Sequence, residues 1–344
     1  MTPLRRLLYV LVSVFSLGLT AVPLSAQPFD PPEVIPGSPI FFGGRLGEPV
    51  SVWYKAEKKL YTFYYQRDRV YFQSHFKTFH SPLEEVPGSG RLQGTGIAAI
   101  VYLGQLQLYG CGLDGQIYIN VKQPHGDWSG WFTFAFHPPA TVVDSGYVYR
   151  NSAGHDNVFI FFKGAGGDGY ALRFSEAHRW DVLSLGNGFS GFSAAHTGVG
   201  DAFFLFGVYG PYSEGHCYSN YYLEDAGDAD YGDFQGWNLA DPEHPSEAHW
   251  VNVAACNFGN QGVSRAIRVY TAYPIMFPSE DVLINRSEAD EFDRMGDWNP
   301  VHFGRWDAKF HVTSITFPQK QFTILMLCGL EDGRYYWMIA KERR

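Results

Sequence analysis

Two stretches decide the fold: QLQLYGCGLDGQIYINV, residues 105–121, and FTILMLCGLEDGRYYWMIA, residues 322–340. Each holds two apolar or aromatic runs around a tight Asp-Gly turn, and both carry Cys-Gly-Leu just before it. Asp-Gly flanked by alternating hydrophobics is a strong local signal for an antiparallel hairpin. Moving outward, a second mark recurs between such hairpins: a Trp or Phe, a few residues, a Pro or Gly turn, then a new apolar run. It falls at Phe79, Trp131, Trp180, Trp237 and Trp298, with spacings of 52, 49, 57 and 61 residues.

Three or four short strands in about 50 residues is the size of one propeller blade. The expectation is therefore an all-β, six-bladed β-propeller filling residues 27–344, with blades near 45–89, 90–138, 139–189, 190–245, 246–304 and 305–344. The last unit stops without an outer strand carrying the Trp mark. Residues 33–44 (EVIPGSPIFFGG) read as a lone outer strand and its exit turn. Pairing the N- and C-terminal strands would close the ring and remove an exposed sheet edge. A β-sandwich or two all-β domains is the competing architecture. Aromatics at 17% and charged residues at 18%, with 38 glycines, exclude a disordered chain, a coiled coil and a helical bundle.

The N-terminus reads as an export signal. Arg5 and Arg6 precede an apolar run from Leu7 to Leu24, and Pro23-Leu24-Ser25-Ala26 supplies small residues for cleavage. The expectation is a signal peptide over 1–26 and a secreted or periplasmic chain with no membrane insertion after cleavage. Cleavage removes two arginines and no acid, taking the net charge from −9 to −11. An acidic surface without a basic block repels phosphate backbones, so nucleic acid is a poor partner. An oxidising compartment leaves Cys111, Cys217, Cys256 and Cys328 open to one or two bridges or to buried thiols.

The segment GIAAIVYLGQLQLYGCGLDGQIYINVKQPHGDWSGW, residues 96–131, resembles the repeats of sugar-binding propeller lectins. These are the bacterial lectins related to the Photorhabdus fucose-binding lectin and the fungal fucose-specific lectin family. The other units resemble them in spacing and aromatic marks. The resemblance implies a propeller fold and a glycan or glycoconjugate partner. In the fungal family an Ile-Arg-Val-Tyr strand supplies a sugar-binding arginine, helped by an acid and an aromatic ring. Here that strand is Ile267-Arg268-Val269-Tyr270, which implies a site at Arg268 with Glu280 opposite, a surface ion pair on an outward strand face being the simpler reading. Leu106-Gln107, Val158-Phe159 and Phe203-Phe204 stand at the matching places and offer no guanidinium.

The recurring tryptophans read as packing between blades, whereas Trp128 is additional to the repeat and flanked by Asp127 and Ser129. Trp128 and Asp127 are thus candidates for stacking and orienting a sugar ring. The acidic run 224–233 could wrap Ca²⁺ through Asp225, Asp228, Asp230 and Asp233, though it lacks EF-hand spacing and a solvated loop is the simpler reading. For hydrolysis, Glu48, Glu247 and Asp307 lie near starts of inner strands, with Asp144 further along its own. No sialidase Asp-box, G-x-S-x-G elbow or H-E-x-x-H helix is present, and the twelve histidines show no ligand-spaced pair. The reading is non-catalytic carbohydrate binding without a required cofactor. A propeller glycoside hydrolase and an extracellular protein-interaction scaffold are the alternatives.

Overall fold

The structure, a computed structural model, describes residues 33–38, 47–66, 68–76, 79–133, 137–175, 180–195, 202–210, 215–240, 252–257, 267–274, 282–289, 299–304, 310–317, 322–331 and 334–343. The expected signal peptide, residues 39–44 of the closing stretch, Trp298, Glu247, Glu280 and Asp307 lie outside them. No helix among the described residues is long and apolar enough to cross a membrane.

The chain is a β-propeller. Strand β1 (Glu33–Val34) comes first. Sheet I holds β2 (Val50–Tyr54), β3 (Lys59–Gln66), β4 (Arg69–Phe76) and β5 (Phe79–His80), with β6 (Glu84–Glu85) also on β4. Sheet II holds β7 (Leu92–Tyr102), β8 (Gln105–Gly112), β9 (Ile117–Lys122) and β10 (Phe132–Thr133). Sheet III runs through β11 (Ala140–Arg150), β12 (Asp156–Gly164), β13 (Asp168–Ser175) and β14 (Trp180–Asn187). Sheet IV contains β15 (Phe189–Ala195), β16 (Ala202–Tyr209), β17 (His216–Asp225) and β18 (Asp228–Phe234), with β19 (Asn238–Leu239) against β17. Sheet V consists of β20 (Asn252–Asn257), β21 (Ile267–Pro274), β22 (Val282–Ala289) and β23 (Asn299–Gly304). Sheet VI consists of β24 (Phe310–Phe317), β25 (Phe322–Glu331) and β26 (Arg334–Arg343), and β1 completes it. The first strands of successive sheets meet in the order β2, β7, β11, β15, β20, β24, and β24 returns to β2.

The Asp-Gly turn forms as its residues dictate. Gly115 takes φ +75°, a conformation L side chains rarely adopt. Asp114 Oδ1 accepts the Gln116 N–H at 3.0 Å, and its other oxygen accepts the Tyr118 hydroxyl at 2.9 Å. The Gly115 carbonyl then accepts Ala140 N–H at 2.8 Å, tying the turn to the next sheet. The tryptophan mark has an equally local cause. Buried Asn120 and Asn220 stand in the third strands of sheets II and IV. Asn120 Oδ1 accepts from Gly130 N at 3.1 Å, and Asn220 Oδ1 accepts from Gly236 N at 3.0 Å. Both glycines have positive φ, and each sets the following tryptophan, Trp131 or Trp237, against a neighbouring sheet. Trp237 Nε1 donates to the Leu185 carbonyl of sheet III at 2.8 Å. Trp180 instead stacks on Phe174 of its own sheet, with centroids 4.1 Å apart.

Apolar clusters fill every junction of the ring, and each draws on two neighbouring sheets. Alternate residues of one strand serve different junctions. Phe159 and Phe161 pack toward sheet IV, while Val158, Ile160 and Phe162 pack toward sheet II. Second strands such as β12 and β16 are buried on both faces, and their central runs are continuously apolar in sequence rather than alternating. All four cysteines are free and buried. Burial pushes the Cys328 thiol up to about 12.

The termini close the ring as expected. Glu33 and Val34 pair with Trp337 and Tyr336, and Ile35 N donates to the Tyr335 carbonyl at 2.9 Å. Ile35 is fully buried among Leu60, Tyr64, Met326 and Tyr335, which makes it the plug of the junction between sheets VI and I. Ile35→Ala is expected to lower stability by about 2–5 kcal/mol in urea unfolding. The neighbouring Val34→Ala, at a 42% exposed position, should shift it by less than about 0.5 kcal/mol.

Candidate functional site

Between sheets I and II lies a groove of about 450 Å³, formed where the β2–β3 turn meets the β9–β10 loop. Tyr61, Phe72, Phe79 and Trp128 give it aromatic surface, and Glu57, Glu84, Lys59, Lys122, Ser74 and Ser81 give it polar edges. Trp128 is half-buried and stands edge-on to Phe63 and Phe72, with centroids 6.1 and 5.7 Å away. Its Nε1 is buried, so ring carbons line the groove. Asp127 beside it is exposed. Phe79, the first of the recurring aromatic marks, is 61% exposed and lines the same groove. Its strand is only two residues long, and the chain then continues along β4 through Ser81 and β6.

Glu57 holds this groove together, and the sequence reading missed it. Its Oε1 accepts from Lys122 Nζ at 3.1 Å and His125 N at 3.0 Å, both on sheet II. Its Oε2 accepts the Tyr61 hydroxyl at 2.6 Å and faces Lys59 Nζ at 3.6 Å. Burial alone would raise the carboxyl, but these hydrogen bonds and the Lys122 charge outweigh it and hold Glu57 at about 2. Desolvation and the same carboxylate push Tyr61 upward. Lys122 Nζ also donates to the Gly126 carbonyl at 2.7 Å, so one ion pair fixes the turn carrying Asp127 and Trp128.

The equivalent groove between sheets III and IV, about 510 Å³, is acidic. Glu224 accepts the Tyr149 hydroxyl and both the N–H and hydroxyl of Ser152, while Asp230 accepts from Asn151 Nδ2 at 2.8 Å and pairs with His155 at 3.0 Å. The carboxylates expected to wrap a cation are divided instead among local turns. Asp225 accepts Gly227 N at 2.9 Å, Asp228 accepts Asp230 N at 3.1 Å, and Asp233 accepts Phe234 N at 2.7 Å. A register shift breaks the β17–β18 ladder between Asp228, opposite Asp225, and Gly232, opposite Glu224. Among the described residues no three His, Cys, Asp or Glu side chains form a group that could hold a metal.

Arg268 is only 5% exposed in β21, opposite Cys256 and Glu288. A second buried arginine was not anticipated. Arg173 grips Asp181 through Nε at 2.9 Å and through Nη2, and it donates to the Tyr222 hydroxyl and the Gly232 carbonyl of sheet IV. Its guanidinium also lies 5.4 Å from the Tyr231 ring centre.

At the axis, Glu48 and Asp144 line one small cavity with Asn252 and His311. Asn252 Nδ2 donates to Glu48 at 2.9 Å. Asp144 Oδ1 faces Lys163 Nζ at 3.5 Å, and Oδ2 is buried without a protein partner. Burial pushes Asp144 up to about 6 against the opposing pull of Lys163, and burial lowers His311 to about 4. The described residues leave about 20 Å³ there, room for one water and not for a sugar ring.

No family model matches the chain, and no curated protein does. Solved structures share its fold at low identity. A protein of unknown function from Dyadobacter fermentans aligns with TM-score 0.62 and 10% identity, over 94% of this chain and 100% of that one. The BP39L lectin from Burkholderia pseudomallei aligns with TM-score 0.58 and 13% identity, over 86% and 84%. An α-L-arabinanase from Penicillium chrysogenum, complexed with arabinobiose, aligns with TM-score 0.52 and 11% identity, over 92% and 97%. Propellers of this shape thus include a lectin and a glycoside hydrolase.

The axial charge has a measurable consequence. Between about pH 3.8 and 6 the folded chain keeps a proton on Asp144 that the unfolded chain has lost. Stability therefore falls as pH rises through that window, and the deficit persists above it. Asp144→Asn should raise stability at pH 7.5 by up to about 3 kcal/mol and leave it unchanged near pH 3.5, read from urea midpoints. Glu57 has the opposite sign, stabilising above about 4.5 and losing that contribution as pH falls toward 2.

Proposed function

We propose that this chain is an exported, six-bladed, non-catalytic glycan-binding propeller, and that the groove between sheets I and II is its sugar site. The observation that carries the reading is aromatic surface from Trp128 and Phe79 beside charged and hydroxyl groups already held in place. The apolar face of a pyranose stacks on such rings while polar edges fix its hydroxyls. A volume of about 450 Å³ suits one or two sugar residues. Glu57 and Lys122 neutralise each other, which favours an uncharged glycan over a strongly anionic one. The narrow axial cavity supports binding rather than hydrolysis. The N-terminal leader supports a secreted or periplasmic location, where free glycans and glycoconjugates are met.

A panel of immobilised glycans, including fucosylated, galactosylated and methylated sugars, tests this directly. The mature chain should bind a subset without releasing sugar. Trp128→Ala should weaken that binding at least about tenfold, or about 1.4 kcal/mol, measured at a temperature where circular dichroism shows the variant folded, because losing a half-buried ring also lowers stability. Silence across the panel, or a Trp128→Ala variant that binds as tightly as the parent, overturns the assignment.

A further inference from the structure

The spacing of the histidines along the chain shows no ligand pair, yet folding makes one. His75 near the end of β4 and His80 in β5 are opposed partners in an antiparallel register. Opposed side chains share a face, with Cβ atoms about 5 Å apart. Here the two Nδ1 atoms converge to 2.8 Å, with the rings inclined at 68°. Trp337 of sheet VI closes over both, its ring centre 5.3 Å from His75 and 5.7 Å from His80. His75 is 5% exposed and its Nε2 is buried without a protein partner, whereas His80 is half-buried and gives access from outside.

We propose that His75 and His80 form a two-imidazole site for a borderline divalent transition metal, copper(II) or zinc, at the junction of the last and first sheets. Two nitrogens each about 2.0 Å from an ion stand about 2.8 Å apart at a right angle and about 3.3 Å apart at a tetrahedral one. The observed separation matches the first, and small ring rotations reach the second. Without metal, the short contact is an Nδ1–H···Nδ1 hydrogen bond. On binding, both Nδ1 lone pairs go to the ion, and the shared proton moves to Nε2 of the ring that donated it. Atoms and charge balance with no other reactant, and water fills the remaining positions. An all-nitrogen donor pair selects such ions over calcium or magnesium, which require oxygen. The site does not depend on glycan binding.

Its position gives it a consequence. Trp337 is also the residue that pairs with Glu33 of the closing strand, so an ion at this pair braces the hairpin packed against the ring latch. A ligand that binds only the folded chain raises its stability with concentration.

Copper(II) titration of the full mature chain tests the site. One equivalent should give an electron paramagnetic resonance spectrum with two nitrogen donors and should quench tryptophan fluorescence. Trp337→Phe should remove most of that quenching and keep the spectrum. His80→Ala should weaken binding at least about tenfold and lose the two-nitrogen pattern. Zinc should raise the melting temperature of the parent and not of His80→Ala, with His80→Gln serving if the alanine variant fails to fold. Equal affinity and equal spectra for parent and His80 variants, or no zinc-dependent stabilisation of the parent, overturns the proposal.

Discussion

Among the described residues, no sheet of this protein has a core of its own. Every apolar cluster lies between two sheets, so each blade is stable only while both neighbours stand beside it. That constraint explains the strand sequences: a second strand such as residues 203–206, Phe-Phe-Leu-Phe, must satisfy two junctions at once. It also explains why the first and last segments meet. An open arrangement would leave the Leu60 and Tyr64 side of sheet I and the Met326 and Tyr335 side of sheet VI in water, at about 25 cal/mol per Å² of apolar surface. Ile35 and the β1–β26 pairing remove that exposure with very few residues.

Among the described residues, two ligand-sized grooves lie at the rims of the junctions, where turns of adjacent sheets meet. Carboxylates settle the form of two rims. Between sheets I and II, Glu57 on the earlier sheet reaches the Lys122–His125 loop of the later one. Between sheets III and IV the polarity reverses, and Glu224 on the later sheet receives Tyr149 and Ser152 of the earlier one. The intervening rim uses rings instead: Tyr102 of sheet II meets Phe174 of sheet III at 5.9 Å, and Trp180 covers Phe174. A propeller built from similar units therefore offers dissimilar rims, and aromatic surface combined with a charge-balanced polar edge occurs at the first of them.

The features legible in the sequence are those with local causes. The Asp114-Gly115 turn is encoded in two residues, and the tryptophan mark in a glycine held by an asparagine one strand earlier. The closing strand was legible as a missing piece at one end matched by a spare piece at the other. Glu57 was not, because its role depends on Lys122, 65 residues away, and nothing in Lys55-Ala56-Glu57-Lys58 distinguishes it from a solvated turn. The acidic run was legible as a loop rich in carboxylates but not in its contacts, which are backbone N–H groups of its own hairpin. The histidine pair hid in the same way, since a separation of five along the chain means nothing until a hairpin sets the register.

Arginine placement shows where the family resemblance ends. A guanidinium can fork onto sugar hydroxyls only if it reaches solvent, and Arg268 and Arg173 are 5% and 3% exposed. Arg173 instead satisfies its fork within the wall between sheets III and IV, on Asp181, Tyr222 and a carbonyl. Such a charge is tolerated in an apolar wall because its donors are met, and removing one partner would leave it costly. In the sugar site proposed between sheets I and II, recognition would fall to ring surfaces and to the ion pair that positions them. Rings discriminate by shape and by the apolar patches of a sugar, so the specificity of this propeller should follow the arrangement of axial C–H groups more than the charge of its ligand.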